Sequence, residues 1–235
     1  MTIAFLNTRL QKRKEQGWLR SLQSTVGLID LTSHDYFGFA QQGHPIKENF
    51  YAGSNGSRLL SGNHFFYEEL ENKIAKILQA ESCLIYNSGY TANLGLLSAL
   101  GGDAATFLYD LEIHASMMDG MRLSDAKTRP FRHNDLESLE RRLKNASLPV
   151  FVLVESIYSI SGDIAPLEEI TALCTKYGAS LIVDEAHAMG ICGNLGEGLV
   201  AELGLEAHVF ARIHTFSKVL GAHGACILGS KTRKE

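Results

Sequence analysis

Ser180-Leu181-Ile182-Val183-Asp184-Glu185-Ala186-His187 and, downstream, Val209-Phe210-Ala211-Arg212-Ile213-His214-Thr215-Phe216-Ser217-Lys218-Val219-Leu220-Gly221 decide how this chain is read. Each run opens as a short β-rich apolar segment and ends in polar residues. In parallel sheets covered on both faces, ligands sit just beyond the carboxyl ends of the strands. Lys218, with Ser217 before it and Gly221 after it, suits a Schiff-base site, because an amine attacks an aldehyde carbonyl once burial or a nearby cation lowers its pKa. Asp184 suits a carboxylate that keeps a pyridine nitrogen protonated, so that the ring accepts electrons. Together they point to pyridoxal 5'-phosphate (PLP). Any single lysine is more often merely solvated, so the rest of the chain carries the decision.

Outward from these runs, strands and helices alternate. Helical spacing covers Phe65 to Gln79, Tyr90 to Leu100 and His114 to Leu123, and Asn134 is placed to cap a helix holding Leu136, Leu139 and Leu143. Pro166 opens a further helix that Gly178 ends. Strands are expected at Ser82 to Tyr86, Thr106 to Tyr109, Pro149 to Glu155, Ser180 to Val183, Val209 to Ile213 and Ala225 to Leu228. This alternation predicts an α/β fold with a mostly parallel sheet and helices on both faces. Polar clusters recur at strand ends. Asn87-Ser88-Gly89-Tyr90 can hold a phosphate at a helix N-terminus, or serve as a plain capped turn. His114 can stack on a planar ring or cap a helix. Glu155-Ser156-Ile157-Tyr158-Ser159 and Asp184-Glu185-Ala186-His187 complete the series.

Composition narrows the classes. The chain has 235 residues, 45% hydrophobic and 20% charged, enough for a sizeable core. Its net charge of -4 gives no electrostatic case for nucleic acid or an anionic membrane. The four cysteines are scattered, which argues against a zinc site or disulfide framework and fits a reducing cytoplasm. No apolar run approaches the ~20 residues that span a bilayer. Met1 to Gln23 reads as an amphipathic helix, better suited to packing on its own domain or a partner subunit than to a membrane surface.

These motifs, in this order, resemble the α-oxoamine synthases, fold-type I PLP enzymes that condense an amino acid with an acyl-CoA and release CO2. The resemblance runs through His34-Asp35-Tyr36-Phe37-Gly38, Gly53-Ser54-Asn55-Gly56-Ser57-Arg58-Leu59 with Gly62, Asn87-Ser88-Gly89-Tyr90 with Ala92-Asn93, His114-Ala115-Ser116, Gly162-Asp163 with Ala165-Pro166-Leu167, and Asp184-Glu185-Ala186-His187. It implies that Lys218 carries the cofactor and moves the Cα proton. His114 should stack on the ring and help position substrate, Asp184 should pair with the pyridinium, and His187 should bond the phenolic oxygen. Ser88, Gly89, Tyr90, Ser159 and Thr215 should complete the cofactor site, and Arg20, His34 and His114 should contact substrate. No metal is implied.

The resemblance also implies an N-terminal helical arm and short strand over residues 1–37 and a PLP-binding large domain over 38–235, without the family's C-terminal small domain and its carboxylate-binding arginine. It implies a cytoplasmic homodimer acting on an amino acid and an acyl-CoA or acyl-carrier-protein thioester. Gly221 with His223-Gly224-Ala225 is most similar to the member that joins L-alanine to a pimeloyl thioester in biotin synthesis. Glycine- and serine-using relatives stay open, as does a silent scaffold subunit, although scaffold paralogues tend to lose the lysine kept here. His34 stands where the family has asparagine, Ile160-Ser161 where Met-Asp or Met-Glu is common, and Val219 where alanine or glycine is usual.

Overall fold

The structure is a computed structural model that describes residues 2–22, 27, 29, 31–42, 53–54 and 56–231. Met1 and Gln23 of the expected N-terminal helix and Asn55 of the Gly-Ser-rich loop lie outside the described residues. The chain divides into two compact units, Met1–Ser33 and His34–Glu235.

The first unit holds α1 (Thr2–Glu15), with Lys12, Arg13 and Lys14 in its last turn, where cations complement the helix dipole. Gly17 at φ 69° then turns the backbone, and the Trp18 N–H closes back on the Arg13 carbonyl at 2.8 Å. The helix therefore stops well short of Gln23, and Trp18 to Leu22 follow in irregular backbone.

The second unit is built of α2 (Phe65–Ile77), β1 (Ser82–Tyr86), α3 (Gly89–Leu100), β2 (Thr106–Asp110), α4 (Ala115–Arg122), β3 (Lys127–Phe131), α5 (Leu136–Lys144), β4 (Val150–Glu155), α6 (Leu167–Tyr177), β5 (Ser180–Asp184), α7 (Leu199–Glu202), β6 (Val209–Thr215) and β7 (Ala225–Gly229). The strands form one seven-stranded sheet in the order β1-β7-β6-β5-β4-β2-β3. Pairs from β3 through β6 are parallel, whereas β7 runs antiparallel to both β6 and β1. Because β7 reverses twice, β1 points the same way as β6. The carboxyl ends of β1, β2, β4, β5 and β6 thus share one edge, where the polar clusters of the sequence collect.

Central strands are buried over almost their whole length. All six residues of β4 are buried, with Val152, Leu153 and Val154 fully inaccessible, as expected for a strand covered on both faces. The sequence pattern missed β3. Lys-Thr-Arg-Pro-Phe has no apolar alternation because it is an edge strand, and Pro130 and two cations there deter further pairing. It also misplaced one cap. Asn134 takes φ 49°, and Asp135 caps α5 instead, its side chain accepting from the Ser138 N–H at 2.8 Å.

The Gly-Ser-rich loop has a structural task. Arg58 donates to both oxygens of the buried Glu71 at 2.6 and 3.2 Å, and Glu71 also accepts from the Ile85 N–H of β1 at 2.8 Å. Loop, α2 and β1 are thereby joined through one carboxylate. A Cβ on Gly62 would lie 1.9 Å from the Gly56 carbonyl oxygen, so this turn admits only glycine there. Arg58→Ala strands a buried charge and should lower unfolding free energy by about 2 kcal/mol, read as an earlier urea midpoint at unchanged slope.

Candidate active site

Five strand ends wall a cavity of ≈ 250 Å³, lined by Ser88, Gly89, Tyr90, Asn93, His114, Ser116, Glu155, Asp184, Ala186, His187, Thr215, Ser217 and Lys218. Lys218 follows β6 and points its amine at His187, with Nζ 2.7 Å from Nε2. Burial lowers the Lys218 pKa, opposed by the carboxyls of Asp184 and Glu155. Burial first, then the Lys218 charge, brings His187 down to about 4, so its imidazole is neutral at physiological pH. A neutral ring accepts from the ammonium form of Lys218 or donates to its amine form.

Asp184 ends β5 and is held in place by two donors, the Ala186 N–H at 3.0 Å and the Asn93 amide at 2.8 Å. Asn93 also donates to Ser116 Oγ at 2.9 Å, and Ser116 Oγ lies 2.8 Å from His114 Nδ1. The Ser116 backbone N–H also donates to Nδ1, at 3.2 Å. Nδ1 is therefore an acceptor, and His114 carries its proton on Nε2. One hydrogen-bonded chain thus runs from the buried Asp184 carboxylate through Asn93 and Ser116 to the exposed ring of His114, fixing its plane.

α3 begins at this edge. Ser88 caps it by accepting from the Thr91 N–H at 3.1 Å, which leaves the first N–H groups of the helix at the cavity wall, a ready anion site. Tyr90, also on the wall, is anchored by its hydroxyl, which donates to Asp119. Thr215 Oγ1 meets Ser217 Oγ at 2.9 Å beside the lysine. Val219 packs against Gly190, where a Cβ would come within 2.5 Å of Val219 Cγ1, so the larger residue after the lysine is accommodated by glycine opposite.

Other expected site residues fall elsewhere. Ser159 is exposed on the turn after β4 and is not among the lining residues. His34 does not line the cavity, but its ring meets His187 edge-on at 5.0 Å between centroids and its Nδ1 lies 3.2 Å from the Tyr36 hydroxyl. Arg20 belongs to the other unit and is exposed. Conversely, Asn93, Ser116, Glu155 and Ser217, which the sequence motifs contain but to which no role was assigned, line the site. A charge ending a wholly apolar run marks Glu155, and placement four residues into the helix that opens at Gly89 marks Asn93.

A second polar cluster braces the same loops. His133 bonds Asp110 through Nδ1 at 2.9 Å and Asp163 through Nε2 at 3.2 Å, while Asp110 accepts from the N–H groups of Glu112 and Asn134, both at 2.9 Å. It ties together the loops after β2, β3 and β4. Burial works against the charged ring, but Asp110, then Asp163 and Glu112, outweigh it and raise the His133 pKa. A raised cation favours folding below the unfolded value of 6.5, and that contribution is lost as pH rises through the folded pKa. His133→Gln should flatten this part of the melting temperature's pH dependence.

The chain belongs to the class I and II aminotransferase family, matching it over residues 26–234. Its relatives there are α-oxoamine synthases. A putative 8-amino-7-oxononanoate synthase from Bacillus licheniformis is 41% identical over 237 residues, and an 8-amino-7-oxononanoate synthase from Mycolicibacterium smegmatis is 38% identical over 238; each alignment covers 97% of this chain and 62% of the relative. The chain thus spans about 62% of the length of these curated relatives. Serine palmitoyltransferase from Sphingomonas wittichii matches at TM-score 0.79 and 35% identity, over 86% of this chain and 53% of that one. A serine palmitoyltransferase from S. paucimobilis, with a bound PLP-myriocin aldimine, matches at TM-score 0.82 and 30% identity, over 96% of this chain and 62% of that one. Among the described residues, no helix is long and apolar enough to cross a membrane.

Proposed function

We propose that this chain carries the cofactor-binding part of a PLP-dependent α-oxoamine synthase that joins L-alanine to a pimeloyl thioester, giving 8-amino-7-oxononanoate, CoA and CO2. The observation that carries the reading is the half-buried Lys218 amine, 2.7 Å from a neutral imidazole, in a cavity that also holds the Asp184 carboxylate. The donor set fits PLP. A carboxylate braced by two donors suits the pyridine nitrogen, the α3 N-terminus with Thr215 and Ser217 suits a phosphate, and a lysine with lowered pKa suits an aldehyde.

Bound PLP supplies an electron sink for the charge left on Cα when a proton or CO2 departs. The residues do the rest. Asp184, ordered by Asn93, keeps negative charge where a ring nitrogen must stay protonated. His114, locked through Ser116, offers one face and an Nε2–H for orienting a substrate. Lys218 Nζ takes the proton from the substrate Cα and returns it, a step its lowered pKa brings nearer to neutral. His187, neutral beside it, receives or donates a hydrogen bond without adding charge. His34, at the outer edge of His187, and Arg20 are proposed to contact the amino acid, and Ser159 to approach the cofactor when the site is filled.

The names of the curated relatives support L-alanine and the pimeloyl thioester. The likeness to serine palmitoyltransferases favours a second reading in which the amino acid is L-serine. CoA release from pimeloyl-CoA, followed with L-alanine, L-serine and glycine in parallel, separates them. Release with L-alanine alone supports the first, and release only with L-serine or glycine ends it.

A further inference from the structure

We propose that Glu155 stands in the site as a neutral carboxylic acid, leaving Asp184 as the one carboxylate charge beside Lys218 and keeping the lysine amine free to react. The inference about the amine rests on the PLP reading above; the inference about the carboxyl does not.

Glu155 ends β4 directly opposite Asp184 at the end of β5, and both line the cavity. Glu155 is 3% exposed and Asp184 5%. Donors are shared unequally. Asp184 receives the Asn93 amide and the Ala186 N–H, whereas Glu155 Oε1 is shut from solvent with no hydrogen-bond partner. The nearby cation, Lys218, spends its bond on His187. Two adjacent buried carboxyls cannot both ionise cheaply, and the one left with an unpartnered oxygen keeps the proton, since both oxygens of Asp184 accept a hydrogen bond.

Every element around Glu155 bears on this balance. Burial acts first and the Asp184 charge second to push its pKa up to about 8, against the backbone of His114, the Lys218 charge and the backbone of Ser159. Tyr158, on the same loop, is pushed upward by burial and adds no charge. Beyond Lys218 stands His187, itself neutral. An ionised Glu155 would add a second anion beside Lys218, hold the ammonium form and withdraw the free amine. The proton on Glu155 thus positions the charge state of Lys218 without touching the reaction itself.

Infrared spectroscopy of the full chain before any cofactor is added reads the carboxyl directly. At about pH 6.5 the carbonyl stretch of a protonated acid should be present, absent in Glu155→Gln, and should fade in the unaltered chain as pH passes about 8. The rate of covalent PLP capture, read in the visible band, is compared between Glu155→Gln and the unaltered chain across pH. The ratio of the two should be about tenfold higher at about pH 9 than at about pH 6.5, the effect of one pKa unit at Lys218. The titration of the unaltered chain needs no variant, so a poorly folding Glu155→Gln leaves the test standing. No protonated-acid band at about pH 6.5 overturns the proposal, and a capture ratio that stays flat with pH overturns the link to Lys218. If neither protein captures PLP, the cofactor reading falls while the infrared band still decides the charge of Glu155.

Discussion

Lys218→Ala abolishes the visible absorbance that develops when PLP is added to the purified protein. The side chain is the amine on the cavity wall, its neighbours His187, Asp184 and Glu155 are not amines, and among the described residues no other lysine lines the cavity. PLP retained by Asp184 and the α3 N-terminus alone would be held without a covalent bond and would wash out on dialysis. The same substitution removes the group proposed to move the Cα proton, a role worth about 10²–10⁴-fold in rate. Circular dichroism and the melting temperature should stay close to those of the unaltered chain, because Lys218 is only half buried and its amine bonds the side chain of His187.

Asp184→Asn is expected to have the next largest effect, and by a different route. Asparagine keeps the shape and can still accept from one of the two donors, Asn93 or the Ala186 N–H, but it loses the negative charge. A hydrogen bond to a charged partner contributes about 1.5–3 kcal/mol, so PLP affinity should fall about tenfold to a hundredfold, measured by equilibrium titration. Any PLP that remains should deprotonate at its ring nitrogen at lower pH. Undiminished affinity in Asp184→Asn would show that Asp184 is a structural carboxylate serving Asn93 and the Ala186 backbone alone.

Much of this site was legible in the sequence because parallel α/β architecture turns linear order into position. A strand that ends in polar residues delivers them to a common edge, so Ser88, His114, Asp184, Thr215 and Lys218 could be assembled without knowing the sheet order. What the pattern could not supply was lateral contact. Asn93 links Asp184 to Ser116 across elements distant in sequence, and no local period announces such a bond. β3 was missed because an edge strand is shielded by charge rather than defined by apolar alternation, and β7 was found without its antiparallel direction, which depends on the turn after Gly221. The overlong N-terminal helix shows the reverse fault. Apolar spacing continued through Trp18 to Leu22, but the turn at Gly17 ended the helix first. Ser159 was assigned a cofactor role by motif order alone, and its position on an exposed turn leaves that role to direct test.

Borohydride reduction of the protein after incubation with PLP, followed by peptide mass mapping, tests the central claim most directly. The account predicts one pyridoxyl group, on the peptide bearing Lys218, prevented by Lys218→Ala. A label spread over surface lysines, or none on Lys218, would contradict it.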